Sequence, residues 1–315
     1  MDPQVVYDIQ PGPYWDWRVA MDLFLGGAGV GAFLFAVGLH TAFGGKYRRI
    51  TQTAAWLAPV LVVLGLAFLL AKLGRPFQLW LTFTVFAPTS PLWWGGIFQT
   101  VFVVGSVWWA LQWRSEAPHV GRRRIGWALA VVAMIVGAYH GMLLAVVNAR
   151  PLWNTGPTVL AALLSFTTTG IAAVMLAHLV RMKLAGRLVE GEPLDRFLDD
   201  MRPVRNILFA TLVLQLGTFF LWWLSLNFGM LQDRQALQAA SAGYGTMFWS
   251  LGIGLGLVLP LVMGAYVTWR GKAAGRPLQI RVIAVTSLVI LVGGFFFRLA
   301  VVLGGQLTLP VPTLS

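Results

Sequence analysis

Apolar residues run through this chain in long blocks separated by short polar segments, without the two-residue alternation of a half-buried strand or the single apolar stripe of a surface helix. A bilayer core about 30 Å thick takes roughly 20 apolar residues of α-helix. Eight blocks reach that length, at 18–43, 50–71, 92–113, 124–148, 156–183, 204–228, 243–269 and 279–304. Helix punctuation agrees: Gly74 and Pro76 follow span 2, Ser90 and Pro91 precede span 3, and Pro203 opens span 6. The expected fold class is an all-α integral membrane protein with eight transmembrane helices, a single membrane domain over 1–315.

Composition places the chain in lipid independently of the pattern. Of 315 residues, 58% are hydrophobic and 11% charged, and the mean hydropathy of +0.75 lies beyond ordinary soluble domains. A net charge of +12 would suggest a nucleic-acid partner only if the basic residues shared a folded polar face. They sit between apolar runs instead, so no nucleic acid is expected. The loops after spans 1, 3, 5 and 7 carry Lys46, Arg48, Arg49; Arg114, Arg122, Arg123, Arg124; Arg181, Lys183, Arg187, Arg196, Arg202, Arg205; and Arg270, Lys272, Arg276, Arg281. The tails and the other loops carry only Arg18, Lys72, Arg75, Arg150 and Arg234. The positive-inside rule therefore predicts both termini on the outer, periplasmic side, with 1–17 and 305–315 as tails. The first residues, which include Asp2, Asp8 and Asp16 and lack a basic region before an apolar core, read as a polar tail rather than a cleavable signal. Tryptophans are expected as interfacial belts: Trp15, Trp17, Trp93, Trp94, Trp153, Trp222 and Trp223 outside, Trp113, Trp127 and Trp269 inside.

The stretch FLGGAGVGAF, residues 24–33, matches the loose dinucleotide-binding pattern through Gly27, Gly29 and Ala32. Such a loop must follow a strand and present its amides to a pyrophosphate in water. This one lies inside span 1, so the cradle reading fails. Gly27 and Gly31 are spaced four apart, which lets helix backbones approach closely in lipid; Gly252 and Gly256 share that spacing, and Gly293 and Gly294 can serve likewise.

Few polar groups fall at membrane depth, where they are costly. From the helix ends, at about 1.5 Å per residue, Asp22 lies roughly 6 Å below the outer boundary, Arg298 roughly 9 Å, and Tyr139 and His140 roughly 12–14 Å. Asp22 and Arg298 can form a structural ion pair, His140 an interhelical hydrogen bond, and Tyr139 can pack with its hydroxyl on a carbonyl. An acid, a phenol and an imidazole in one half of the membrane also suit a small redox headgroup that exchanges protons as it exchanges electrons. Haem is poorly served: of four histidines, His119 lies in an inner loop, His140 in the outer half, and only His40 and His178 share a level. With no cysteine, the chain can hold no thiolate-ligated iron–sulfur cluster or disulfide, and no metal site is expected.

Five strings carry a family likeness: WDWRVAMDLFLGGAGVGAFLFAVGL from Trp15, GRPFQLW from Gly74, PTSPLWWGG from Pro88, NARPLWN from Asn148 and LVGGFFFRLAVVLGGQ from Leu291. In this order, from span 1 to span 8, they resemble the NrfD-like family, the membrane subunit of polysulfide reductase. The loop between spans 5 and 6 and the outer segment from Gln232 to Ala242 carry no familiar motif. The resemblance implies two four-helix bundles, 18–148 and 156–304, in a bacterial or archaeal cytoplasmic membrane. It implies a quinone, menaquinone or ubiquinone, bound near the outer face without haem. It implies partners on the periplasmic side: an iron–sulfur electron-transfer subunit and a molybdopterin catalytic subunit. Tyr139 matches the family's tyrosine that bonds the quinone carbonyl. Asp22 falls where the polysulfide enzyme has a histidine, and Val19 where the family has an asparagine. His140, beside the tyrosine, would compensate.

The expected site therefore comprises Asp22 and Tyr139 as the catalytic pair, with His140 and Arg298 completing the quinone contacts, in a pocket lined by spans 1, 4 and 8. Arg298 is expected to steady Asp22, and Arg75, Arg150 and Trp153 to dock the iron–sulfur partner. Two other readings compete. A proton-translocating subunit of a larger respiratory complex would use Thr167, Thr168, Thr169, His178 and His40 as an inner path, although the threonines more readily bond their own helix. A secondary transporter built on inverted repeats would pair Pro59 with Pro260.

Overall fold

The computed structural model of the chain describes residues 14–72, 80–115, 121–188, 192–270 and 275–307. Eight helices in it are long and apolar enough to cross a membrane. They are α1 (Trp17–Phe43), α2 (Arg48–Lys72), α3 (Pro91–Leu111), α4 (Arg122–Ala145), α5 (Thr158–Leu184), α6 (Glu192–Asn227), α7 (Leu231–Arg270) and α8 (Arg276–Gly304). A one-turn helix, Leu81–Thr84, precedes α3, and the described residues contain no strand. The protein is a multi-pass membrane protein, as the pattern predicts. The punctuation at Gly74 and Pro76, the loop residues Arg75 and His119, and most of both tails lie outside the described residues.

Two helices depart from the expected bounds. Pro203 lies inside α6 rather than at its start, because the preceding polar stretch is helical from Glu192. Its Leu194, Phe197 and Met201 are buried on one face, while charges on the other pair as Arg196 with Glu192 and Arg202 with Asp199. An apolar-run criterion passes over such an amphipathic extension. Likewise α7 starts at Leu231, and the motif-free outer segment forms its first turns, burying Leu237, Ala239 and Ala240. At 36 residues, α6 runs to roughly 54 Å, longer than the 40–45 Å of a whole bilayer, while α7, at 40 residues, bends at Tyr244. Within α7, Thr246–Val258 is wound as a π-helix.

Helix α1 is the most deeply buried of the eight. It touches α2, α4, α5 and α8; α2 touches α3, α3 touches α4; and a second circuit runs α5 to α6, α6 to α7, α7 to α8 and α8 back to α5. The expected small-residue contacts hold these crossings. A Cβ on Gly31 would strike the backbone of Phe166 and Thr167, and one on Gly170 the backbone of Ala28, Gly31 and Ala32. A Cβ on Gly27 would meet the Phe166 ring, and one on Gly29 would meet Val62 and the Ala58 carbonyl. Across the other circuit, Gly256 faces Gly293, and Gly252 faces Phe297.

The tryptophan belts are only partly as expected. Trp17, Trp94, Trp127 and Trp269 are exposed, but Trp113, Trp153 and Trp222 are buried. Trp113 lies under the Arg122 guanidinium, 4.5 Å from its ring centroid. Trp153 stacks on Trp15 at 5.1 Å and donates to the Val301 carbonyl at 2.7 Å.

At the end of the molecule where Trp15 meets Gln306, the termini face of the described residues, Asp16 caps α1 by accepting from the Arg18 backbone at 2.9 Å. It also pairs with Arg18 at 2.7 Å and with Lys72 at the end of α2 at 3.3 Å. The Arg18 hydrogen bond is the main cause that holds its carboxyl at about 2, below the ordinary 3.8. The folded value is depressed, so its stabilisation is complete above the unfolded value and is lost as pH falls through about 2. Acid titration of Asp16→Asn against the parent should show the parent's stability advantage shrinking between pH 4 and pH 2. For the helix crossings, Gly170→Ala should lower the unfolding midpoint in detergent by an overpacking penalty of about 1–3 kcal/mol. Gly38→Ala, whose methyl meets open space, should leave it unchanged.

Candidate functional site

Asp22, on the first turns of α1, is 3% exposed. It fits because the facing residue on α2 is Gly65: a Cβ there would stand 3.1 Å from Oδ1. Oδ2 lies 3.9 Å from His140 Nε2 of α4, an ion-pair distance too long for a direct hydrogen bond. His140 is 1% exposed, and its Nδ1 lies 2.7 Å from the Val136 carbonyl one turn back. A carbonyl only accepts, so Nδ1 carries a proton and Nε2 of the neutral ring is an acceptor. Gln99 of α3 meets that acceptor with its side-chain amide at 3.4 Å. Gly26 leaves room beside the ring, since a Cβ there would come within 3.3 Å of Nε2. Asp22 Oδ1 has no hydrogen-bond partner.

His140 also lines a cavity of about 60 Å³. Its walls come from α1, α4, α5, α6 and α8, with the aromatic rings of Phe166, Phe219, Trp222 and Phe297 among them. The polar side chains at its wall are His140, Thr158, Ser165 and Arg298. Arg298 is buried; its Nη1 donates to the Gly294 carbonyl at 2.8 Å and its Nη2 to Thr169 Oγ1 at 3.2 Å. Its guanidinium lies over the rings of Phe166 at 5.1 Å and Phe24 at 5.4 Å. The edge of Phe166 in turn meets the His140 ring, centroids 6.0 Å apart. Arg298 Nε and Ser165 Oγ are buried without partners.

Of the four residues expected together, His140 and Arg298 share this cavity, whereas Asp22 and Tyr139 stand behind His140, outside its lining. Asp22 and Arg298 do not pair: the carboxyl faces Gly65 and His140, and the guanidinium faces Phe24, Phe166 and Thr169. The two side chains, on α1 and α8, face different neighbours, so the expected steadying of Asp22 by Arg298 gives way to His140. The Tyr139 ring lies directly on Gly95 of α3, where a Cβ would collide with it. Its hydroxyl bonds no carbonyl among the described residues. The cavity also draws on α5 and α6, beyond the three spans expected.

Sequence reasoning missed Gln99, Phe166 and Ser165. Gln99 carried a signal, being an amide side chain well inside span 3 at a depth like that of His140. Phe166 carried none, because an aromatic in an apolar helix is ordinary. The threonine triplet bonds its own helix as expected, Thr167 to Leu163, Thr168 to Leu164 and Thr169 to Ser165. His40 and His178 engage separate partners: His40 meets Gly44 and Trp113, while His178 meets Thr53 and stacks on Phe197. Nor do Arg150 and Trp153 form an open docking patch. Arg150 donates to the Gln306 carbonyl at 2.8 Å and Trp153 is buried, so both tie the loop before α5 to the end of α8.

The Val136 contact makes a spectroscopic prediction. In protein labelled with ¹⁵N-histidine, His140 Nδ1 should be protonated in the parent and in Asp22→Asn alike, because its partner can only accept. A bare Nδ1 in either would contradict the arrangement.

Comparison with known proteins completes the description. The family model described as "Polysulphide reductase, NrfD" matches residues 6–310. The protein NrfD homolog of Haemophilus influenzae is 27% identical, over 95% of this chain and 96% of its own. Protein NrfD of Escherichia coli is 26% identical, over 93% and 95%. The C subunit of polysulfide reductase from Wolinella succinogenes is 23% identical, over 93% and 94%. With eight membrane-spanning helices and a family match over nearly its whole length, the chain belongs to the polysulphide reductase NrfD family.

Proposed function

We propose that this chain is the quinone-binding membrane subunit of a respiratory molybdenum and iron–sulfur oxidoreductase. It would exchange electrons and protons between membrane quinone and an iron–sulfur subunit at the termini face, which the Lys and Arg distribution assigns to the periplasm. Family membership supports the class, and one relative is by name a component of polysulfide reductase. The two circuits of helix contacts support a two-bundle arrangement. The observation that carries the site is that His140 joins a buried carboxyl on one side to an aromatic-walled cavity with an arginine on the other.

Buried polar atoms without partners and aromatic walls support the fit, while at about 60 Å³ the cavity has to widen to take a quinone ring. Asp22 Oδ1, Ser165 Oγ and Arg298 Nε are each buried and unpaired, a penalty of about 1–3 kcal/mol apiece unless a ligand or water meets them. A flat apolar ring with carbonyl oxygens answers the donors of the cavity, Ser165 and Arg298. Bound there, a quinone supplies reversible two-electron, two-proton chemistry. The chain's part is to hold the ring and move protons. Phe166, Phe219, Trp222 and Phe297 enclose it and exclude water; Ser165 and Arg298 donate to an oxygen. Asp22 takes or returns a proton, with His140, 3.9 Å away, between it and the cavity. Gln99 fixes the imidazole at Nε2. Tyr139, whose hydroxyl is uncommitted and whose ring stands beside His140, serves the proton relay rather than the cavity wall.

In the assembled complex, Asp22→Asn and His140→Gln should each lower quinone-linked turnover by about 10²-fold or more, the usual weight of a positioned acid or base. Arg298→Gln should raise KM for quinol, and Tyr139→Phe should lower turnover less than Asp22→Asn. Activity with an artificial donor to the catalytic subunit should stay at the parent level. Parent-level quinone-linked rates in Asp22→Asn, His140→Gln and Arg298→Gln together would overturn the site.

A further inference from the structure

At the face opposite the termini, a groove of about 470 Å³ opens between α6, α7 and α8. Its deeper wall is apolar, with Phe209, Leu212, Pro260 and Gly264, and at its mouth stand Arg205 and Trp269. Arg205 is half-buried, its Nε is shielded from solvent, and it has no hydrogen-bond or ion-pair partner among the described residues. Acids of the same helix are engaged elsewhere, Asp195 by Arg276 at 2.8 Å, Asp199 by Arg202 at 3.4 Å and Glu192 by Arg196, while Asp200 lines a separate pocket with Arg49 and His178. Thr286 Oγ1, at the same groove, is also buried and unpaired. A guanidinium without a partner, above an apolar slot, lacks an anion.

Depth says which anion. Asn227 closes α6 at the termini face, and Arg205 lies twenty-two residues below it, about 33 Å at 1.5 Å per residue. A hydrocarbon core is about 30 Å thick, so Arg205 stands at the headgroup level of the opposite leaflet while the apolar wall runs toward the midplane. Trp269, 81% exposed at the end of α7, marks the same level. We infer that this groove binds one anionic glycerophospholipid, its phosphodiester on Arg205 and an acyl chain along Phe209, Leu212 and Gly264. The unpaired charge of Arg205 makes the site select net negative charge, since a choline headgroup would bring a second cation beside it.

Native mass spectrometry of the detergent-purified full-length chain, titrated with phosphatidylglycerol or phosphatidylcholine, tests the inference. The parent should bind phosphatidylglycerol more tightly by at least about fivefold, the weight of one basic residue at an anionic headgroup. Arg205→Gln should abolish that preference. Gly264→Phe, which blocks the slot and leaves the arginine in place, should lower affinity for both lipids. If Arg205→Gln fails to fold, Gly264→Phe and the rise in unfolding midpoint of the parent with phosphatidylglycerol over phosphatidylcholine carry the test. Equal binding of the two lipids to the parent would overturn the site. So would displacement of phosphatidylglycerol by inorganic phosphate, or unchanged preference in Arg205→Gln.

Discussion

The close approach of α1 and α5 is the constraint on which the rest of the interior depends. Lipid tails are as apolar as leucine, so two helices in a bilayer are not driven together by water; they associate where small side chains let their backbones touch. Gly31 and Gly170 provide that contact from opposite sides, and neither position has room for a methyl group. The consequence falls on Phe166, pressed with its backbone against Gly31 and its ring over Gly27. That ring is the partition of the site, its edge on His140 and its face under Arg298. The positions of imidazole and guanidinium thus descend from a packing decision made by glycines.

Charge is handled by separation rather than by neutralisation. A direct bridge between Asp22 and Arg298 would satisfy both and leave neither free to do chemistry. Instead the guanidinium is held by a carbonyl, a hydroxyl and two aromatic faces, and the carboxyl by a histidine just beyond bonding distance. Each retains an unpaired atom. Buried polar groups left partly unsatisfied in this way are a common price of function, because the missing partner is the ligand.

Much of this architecture was legible in the sequence. Eight spans, the glycine crossings and the self-bonded threonines follow from hydropathy, small-residue spacing and local hydrogen-bond preference, all properties of a single helix or a pair. What was not legible depends on rotation about the helix axis. Asp22 and Arg298 agree in depth, yet depth alone does not say which neighbour a side chain faces, and they face different ones. Trp113, Trp153 and Trp222 sit at span ends like the other tryptophans but point inward. The polar starts of α6 and α7 escaped because hydropathy scores an amphipathic turn as loop. Gln99 was accessible to the same depth argument as His140.

The π-wound stretch Thr246–Val258 in α7 changes what the chain can tolerate. Removing a residue from a continuous α-helix turns everything beyond it by about 100°, and in α1 such a deletion before Asp22 would swing the carboxyl off His140. A π stretch holds surplus residues relative to α winding. It can absorb the loss of one by tightening, with the helix beyond keeping its facing. Helix α7 can therefore lose a residue where α1 cannot.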